Sequence, residues 1–130
     1  RRFRALKLWF VIRTYGVQGM QQIIRNHISF GQWLKEEVVS EPGFELVAPV
    51  PLNLVCFRIK PNGVKDESQL ALINKQLLNS LNSSGKILLT QTKLGDKYVI
   101  RFAAGQIHST LENVAQGWNL IKEYAANLLK

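Results

Sequence analysis

The chain has little of what marks a secreted or membrane-spanning protein. Its 130 residues include one cysteine, Cys56, so no internal disulfide can form, which favours a reducing compartment. The longest apolar run, residues 8–12, is far shorter than the roughly 18 residues that a transmembrane helix needs. No secretory signal is expected, because the basic start at Arg1 and Arg2 precedes no long apolar stretch. We therefore expect a cytoplasmic protein.

Acidic residues are absent from the first quarter of the chain. Residues 1–34 contain six Lys or Arg and no Asp or Glu, whereas the remainder contains eleven basic and nine acidic residues. Such a one-sided charge attracts an anion. That anion could be nucleic acid, an anionic membrane surface, a phosphate-bearing cofactor or an acidic surface of the same protein. A solvated basic face is the simplest alternative.

Residues that typically carry catalysis are also scarce. No nucleophile-elbow, P-loop or dinucleotide-binding motif is present. His27 and His108 have no second ligand at metal-binding spacing, so the sequence predicts no metal site. His27 lies on an apolar helical stripe and is interpreted as a hydrogen-bonded core or interface residue. Cys56 alternates within an apolar strand and is interpreted as a packing residue.

The hydrophobic spacing predicts two helices at the start of the chain. The first spans residues 1–14 and is apolar nearly all round, which requires burial on several sides and indicates partner surface outside this chain. Gly16 interrupts the pattern and is suited to a helix C-cap. The second helix spans about residues 18–39, with apolar residues at helical spacing, and a Pro-Gly pair at residues 42–43 ends it.

The remainder of the chain predicts the order strand, strand, helix, strand, strand, helix. The strands are expected at residues 44–50, 53–60, 86–92 and 98–104. Asp66 is the expected N-cap of the middle helix, and Ser109 with Glu112 forms the expected capping box of the last one. Adjacent strands of this kind predict an α+β domain, in which helices cover one face of a mostly antiparallel sheet.

Arg101 is the most unusual residue of the predicted sheet. It stands at the centre of a strand that is otherwise apolar on both faces, and a buried guanidinium without a partner is costly. The partner is either an internal acid, such as Glu45 or Asp96, or the carboxylate of a ligand, to which the planar fork of arginine is suited. Arg58 is similar but lies nearer a strand end, where we expect it to reach water.

Three blocks of the sequence resemble the pyridoxal-phosphate-dependent aromatic-L-amino-acid decarboxylases, a group II decarboxylase family. The blocks are RRFRALKLWF followed by RTYG near the start, LVCFR at residues 54–58 and YVIRFA at residues 98–103. They follow the order and spacing of the family, and the resemblance covers the whole chain. It implies the C-terminal lobe of a fold-type I enzyme, in which residues 1–40 bridge the large and small domains and residues 41–130 form the small domain.

The resemblance also implies a homodimer that holds pyridoxal 5'-phosphate at the subunit interface and decarboxylates an amino acid. The lysine that forms the Schiff base with the cofactor lies upstream in the family, so the chain alone is expected to be inactive. Arg101 matches the arginine that meets the substrate carboxylate in related decarboxylases. In the family, the stretch just before Arg1 helps to enclose the cofactor phosphate of the neighbouring subunit, so Arg1 and Arg2 are expected to lie near that phosphate.

Two other functions remain open from the residues themselves. A pI near 9.9 and a pattern of alternating helices and strands fit a nucleic-acid-binding module. Against it, the strand aromatics Phe57, Tyr98 and Phe102 lie in largely apolar runs. A non-catalytic dimerisation domain would instead pair Arg101 with an internal acid. We expect the partners to be the rest of the enzyme, a second subunit and the amino acid, with no nucleic acid and no membrane.

Overall fold

A long interrupted helix, two strands, a helix, two strands and a last helix follow one another in the computed structural model, which describes residues 3–129. The helices are α1 (Ala5–Ser40), α2 (Glu67–Ser83) and α3 (Leu111–Leu128). The strands are β1 (Phe44–Leu46), β2 (Leu54–Ile59), β3 (Thr90–Leu94) and β4 (Lys97–Ala103). The predicted α+β class is confirmed, and so is the order of strands and helices after the N-terminal helical region.

Helix α1 is interrupted at Gly16, where the sequence predicts a break. Gly16 has φ 67° and ψ 172°, a backbone conformation that glycine adopts because it has no Cβ. The interruption separates residues 5–15 from residues 17–40, which correspond to the two predicted helices. The buried residues of α1 all lie in its second half: Gly31, Leu34 and Val38. Only that half is therefore part of the packed body of the chain.

The four strands in the described part of the chain form one antiparallel sheet in the order β1-β2-β4-β3. In this register Arg101 of β4 lies opposite Cys56 of β2 and Thr90 of β3. Side chains in a strand alternate between the two faces of the sheet. The residues that the two central strands contribute to the core are Val55, Phe57, Ile59, Ile100 and Phe102. Arg58 and Arg101, which alternate with them, therefore share the opposite face.

Trp118 of α3 lies at the centre of the core. It is fully buried and packs edge-on against Phe44 and Phe57, with ring centroids 4.9 and 5.8 Å away. Aromatic pairs in this geometry add about 0.5–1.5 kcal/mol beyond the burial of their area. Helix α3 is thereby fixed against β1 and β2, and its N-terminal half lies near the end of β4 that carries Arg101.

Two strand boundaries differ from the predictions. The first strand, predicted over residues 44–50, ends at Leu46, and the prolines that follow cannot donate to a strand ladder. The third strand begins later than predicted, at Thr90. The reason is that the side chain of Asn82 accepts from the backbone N–H of Leu89 at 2.8 Å and donates to its carbonyl at 3.0 Å, which occupies groups that a strand neighbour would use.

One predicted helix cap is confirmed and another is wrong. Asp66 caps α2 as predicted, because its carboxylate accepts hydrogen bonds from two backbone N–H groups of the first turn. The capping box of α3 is formed by Thr110 and Asn113 rather than by Ser109 and Glu112. The side chain of Asn113 accepts from the backbone N–H of Thr110 at 3.0 Å, a role that was expected for Glu112.

The N-terminal arm, defined here as residues 5–24, carries many exposed apolar side chains. Trp9 and Phe10 are 54% and 55% exposed and contact each other edge-on, with ring centroids 5.1 Å apart. The arm thus presents apolar surface that this chain does not cover, which agrees with the prediction of missing partner surface. None of the described helices has the length and apolar character that crossing a membrane requires.

Candidate functional site

The fully buried arginine of the sheet is Arg58, not Arg101. Arg58 is 1% exposed, and its Nε donates to Glu45 Oε2 at 2.5 Å. Its two Nη atoms donate to the carboxylate of Glu67 at 2.5 and 3.1 Å. The expectation that Arg58 reaches water is therefore wrong, because β1 and the first turn of α2 each bring a carboxylate to it. A buried guanidinium needs such partners, since its removal from water is costly.

Glu45 is shared by three cations. Besides Arg58, the Nζ atoms of Lys97 and Lys60 lie 3.5 and 3.6 Å from Glu45 Oε1. Burial alone would raise the pKa of Glu45, but the hydrogen bond and charge of Arg58, together with both lysines, hold that pKa below its usual value. The pKa of Glu67 is lowered chiefly by its hydrogen bond from Arg58. Both carboxylates are therefore ionised at neutral pH and committed to Arg58.

Arg101 differs from Arg58 in having no acid beside it. It is half-buried and makes no ion pair or hydrogen bond with any residue in the described part of the chain. Glu45 is already bound to Arg58. Asp96 lies in the turn that precedes β4, at the end of that strand remote from Arg101. The internal ion pair that a ligand-free dimerisation domain would need is thus not formed by either expected acid.

Arg101 lines a groove of about 570 Å³ at one end of the sheet. The other walls come from residues 86–90, from the segment that follows β4 and from the first half of α3. The groove is lined by both polar and apolar side chains, among them Thr90, Gln106, Asn113, Ile87, Phe102 and Leu120. A guanidinium beside apolar walls suits a ligand that joins a carboxylate to an apolar group.

The surroundings of His27, His108 and Cys56 do not indicate a catalytic role. His27 is half-buried with Nε2 2.9 Å from the carbonyl oxygen of Gln106, in agreement with the predicted hydrogen-bonded interface residue. His108 is exposed in the loop before α3. Burial raises the pKa of Cys56 although the charge of Arg101 acts against it, so the thiol is not activated. Across residues 3–129 no group of three or more His, Cys, Asp or Glu is placed to hold a metal ion.

Known proteins that are similar to this chain include pyridoxal-dependent decarboxylases. Its first 60 residues match the pyridoxal-dependent decarboxylase conserved domain. Tyrosine decarboxylase 3 of Petroselinum crispum is 44% identical over 132 residues, which cover 99% of this chain and 26% of that protein. Tryptophan decarboxylase TDC2 of Camptotheca acuminata is 43% identical over 129 residues, again 99% of this chain and 26% of that protein.

Comparison with solved structures also finds decarboxylases. A crystal structure of Oryza sativa TDC with PLP and tryptamine matches the whole chain with a TM-score of 0.90 and 35% identity, and the match covers 28% of that structure. This chain is similar in sequence and in fold to one part of the pyridoxal-dependent decarboxylases. It spans about a quarter of the length of the curated relatives that it matches. The family resemblance and the fold class predicted from the sequence are both confirmed.

Pyridoxal phosphate is the cofactor that the family and the PLP-containing neighbour support. Every lysine in residues 3–129 is at least partly exposed in this structure. Arg1 and Arg2, which the resemblance associates with the cofactor phosphate, lie outside the described residues.

Several neighbours of Arg101 were not identified from the sequence. A neighbour such as Thr90 could have been predicted from the sequence, because any strand that pairs with β4 must place one residue opposite Arg101. Gln106 and Asn113 could not have been predicted, because they reach the groove from a loop and a helix that carry no ligand-binding motif. The partners of Arg58 were missed for a similar reason, since Glu67 arrives through the loop between β2 and α2.

Proposed function

We propose that this chain is the C-terminal lobe of a pyridoxal-phosphate-dependent decarboxylase that converts aromatic L-amino acids to amines and CO2. The family match and the relatives named as tyrosine and tryptophan decarboxylases support this activity. The main support for the role of this chain comes from Arg101. Its guanidinium is half-buried, has no internal acid beside it and lies on the wall of a groove that is partly apolar.

Arg101 binds the substrate carboxylate in this proposal. A guanidinium holds a carboxylate through two parallel hydrogen bonds, which fixes its direction as well as its position. The cofactor, when bound, acts as the electron sink, and the protein orients the substrate so that the bond to the carboxylate stands perpendicular to the cofactor ring. Arg101 should position the carboxylate without binding it too tightly, because stabilising the ground state alone does not accelerate the reaction.

The chain alone should be inactive. In the family that this chain resembles, the lysine that anchors the cofactor lies upstream of the matching region, which supports this expectation. The complete enzyme is the longer protein of which this chain would form about a quarter, as in its relatives. In it, residues 1–40 would join the large and small domains, and residues 41–130 would form the small domain.

The exposed N-terminal arm supports a contact with the rest of the enzyme. Trp9 and Phe10 are more than half exposed here, although aromatic side chains contribute most when buried. We expect the isolated chain to self-associate through them or to leave both open to solvent. Sedimentation and tryptophan quenching of the isolated chain test this, and a monomer with both side chains protected would contradict it.

The complete enzyme is proposed to be a cytoplasmic homodimer. Arg1 and Arg2 would lie near the cofactor phosphate of the neighbouring subunit, and the absence of acids from residues 1–34 suits that position. No observation on the described residues favours nucleic acid as a ligand. A domain that serves only in dimerisation is disfavoured, because Arg101 lacks the internal acid that such a domain would supply.

The test of the proposed function is Arg101→Lys in the complete enzyme. Lysine keeps the charge but loses the planar fork, so kcat/KM for the aromatic amino acid should fall by about tenfold or more. Arg25→Lys is the matched control, because Arg25 is exposed and lies outside the groove, and kcat/KM should change little. Catalytic efficiency of Arg101→Lys within a few-fold of the parent would show that the assignment is wrong.

A further inference from the structure

Two side chains from distant parts of the sequence hold the segment that follows β4. Asn53 Nδ2 donates to the carbonyl of Ala104 at 2.7 Å, and the backbone N–H of Ala104 donates to the carbonyl of Asn53 at 3.3 Å. Two residues on, His27 Nε2 lies 2.9 Å from the carbonyl oxygen of Gln106. Ala104 and Gln106 both line the groove of Arg101. The same backbone therefore forms a wall of the groove and receives both hydrogen bonds.

Helix α1 packs closely against residues 52–53, and Asn53 is hydrogen-bonded to this segment. A Cβ on Gly31 would lie 2.8 Å from both Asn53 Cα and the carbonyl oxygen of Leu52, so the helix approaches that backbone as closely as glycine permits. His27 stands four residues earlier in α1, on the same side of the helix. We call His27, Gly31, Asn53, Ala104 and Gln106 the junction. It joins the helix that continues into the N-terminal arm to the wall of the groove.

The hydrogen bond from His27 holds Gln106, whereas Asn53 holds Ala104. The carbonyl of Gln106 accepts from His27 and from the backbone N–H of Ser109 at 2.9 Å, so both of its acceptor positions are used. A carbonyl only accepts, so Nε2 of His27 must carry the proton. Without His27, Gln106 is held only by a contact within its own loop, and the groove wall is free to shift.

We propose that His27 is a positioning residue for the substrate carboxylate. By fixing the carbonyl of Gln106 to α1, it sets the groove wall beside Arg101, and so it sets where the carboxylate meets the guanidinium. The proposal rests on the proposed function of Arg101. It assigns no contact between His27 and either substrate or cofactor.

The experiment uses the complete enzyme with His27→Phe and His27→Gln. Phenylalanine keeps the ring and removes the donor, whereas the amide of glutamine keeps an N–H. Loss of one such hydrogen bond should raise KM for the amino acid about 3- to 10-fold, with a smaller change in kcat. His27→Gln should recover to within about twofold. The inhibition constant of the corresponding amine, which lacks the carboxylate, should change less than about twofold in both variants.

Three outcomes would overturn the proposal for His27. One is an unchanged KM in His27→Phe. Another is a His27→Gln enzyme as impaired as His27→Phe. The third is equal weakening of amino acid and amine, which indicates a general structural role. Thermal melting checks that each variant is folded, and if His27→Phe is not, His27→Asn replaces it, because its shorter side chain cannot reach the Gln106 carbonyl.

The Arg101→Met background separates this proposal from the proposed function. If His27 acts through Arg101, His27→Phe should raise KM less than about twofold in that background. The same increase in both backgrounds would overturn the role of His27 and leave that of Arg101 intact. If Arg101→Met itself leaves KM and kcat unchanged, the proposed function of Arg101 fails first, independently of any His27 variant.

Discussion

Arg58 and Arg101 lie on the same face of one sheet, on neighbouring strands, yet their surroundings differ completely. Arg58 is fully buried and bound to the carboxylates of Glu45 and Glu67. Arg101 is half-buried, lines a groove and has neither carboxylate. A charge that cannot reach water needs an opposite charge inside the protein, whereas a charge that lines a groove can pair with a ligand. The two arginines therefore differ in their internal partners, although they share one face of the sheet.

The two regions are also held together differently. Around Arg58, charges from β1, β2, β4 and α2 converge on a single cluster. Around Arg101, the backbone is held by uncharged hydrogen bonds and by the close approach of α1 at Gly31. The Arg58 region should therefore respond to carboxylate removal and to acid, and the Arg101 region to changes of shape.

The largest expected effect is that of Glu45→Gln combined with Glu67→Gln. Both carboxylates are then lost from a buried guanidinium, which should lower the free energy of local opening around β2 more than any other change proposed here, because the buried charge has no counter-charge left. Hydrogen exchange of β2 amides in the complete enzyme measures this quantity. Arg101→Met is the contrasting control, expected to change it by less than about 0.5 kcal/mol. Equal losses in the two enzymes would remove the distinction between the arginines.

Acid should produce part of the same effect. Both carboxyl groups have folded-state pKa values below their ordinary value of 4.5, so their stabilisation is complete above pH 4.5 and is lost as the pH falls through the folded-state values. Protection of β2 amides, corrected for intrinsic exchange, should fall below pH 4.5 in the parent and much less in the Glu45→Gln and Glu67→Gln double variant. If the protection of β2 amides fell equally in the parent and in the double variant, other groups would be responsible for the acid dependence.

Gly31→Ala tests the packing that supports the Arg101 region. The new Cβ would lie 2.8 Å from backbone atoms of residues 52–53, and relieving that overlap should cost about 1–3 kcal/mol. Gly19→Ala is the matched control in the same helix, because its Cβ meets only the Tyr15 Cβ at 3.5 Å, and it should stabilise the helix by about 0.5–1 kcal/mol. Hydrogen exchange across α1 compares them, and a neutral Gly31→Ala would contradict the close approach.

The smallest effect is expected for Lys97→Met. Lys97 is 42% exposed and lies 3.5 Å from Glu45, so solvent screens a pair that Arg58 already satisfies. The free energy of local opening around β2 should change by less than about 0.5 kcal/mol. Lys93→Met, an exposed lysine on the neighbouring strand, is the control. A loss comparable to that of the double carboxylate variant would mean that the outer lysines hold the cluster.

Much of this architecture could be predicted from the sequence, because local patterns determined it. The break at Gly16, the cap at Asp66 and the order of the elements all follow from residues close together in the chain. The hydrogen-bond partners of Arg58 and His27 could not be predicted in this way. The partners of Arg58 lie nine and thirteen residues from it, and the His27 contact with Gln106 spans 79 residues, so only the folded chain brings them together.

The central claim is that Arg101 is left without an internal partner in order to bind a carboxylate. Calorimetric titration of the complete enzyme carrying Arg101→Met, with the aromatic amino acid and with the corresponding amine, tests it most directly. We predict that the amino acid binds about tenfold more weakly or worse, since a hydrogen-bonded charge is lost, while the amine binds within about twofold of the parent. Unchanged binding of the amino acid, or equal weakening of both ligands, would contradict the claim.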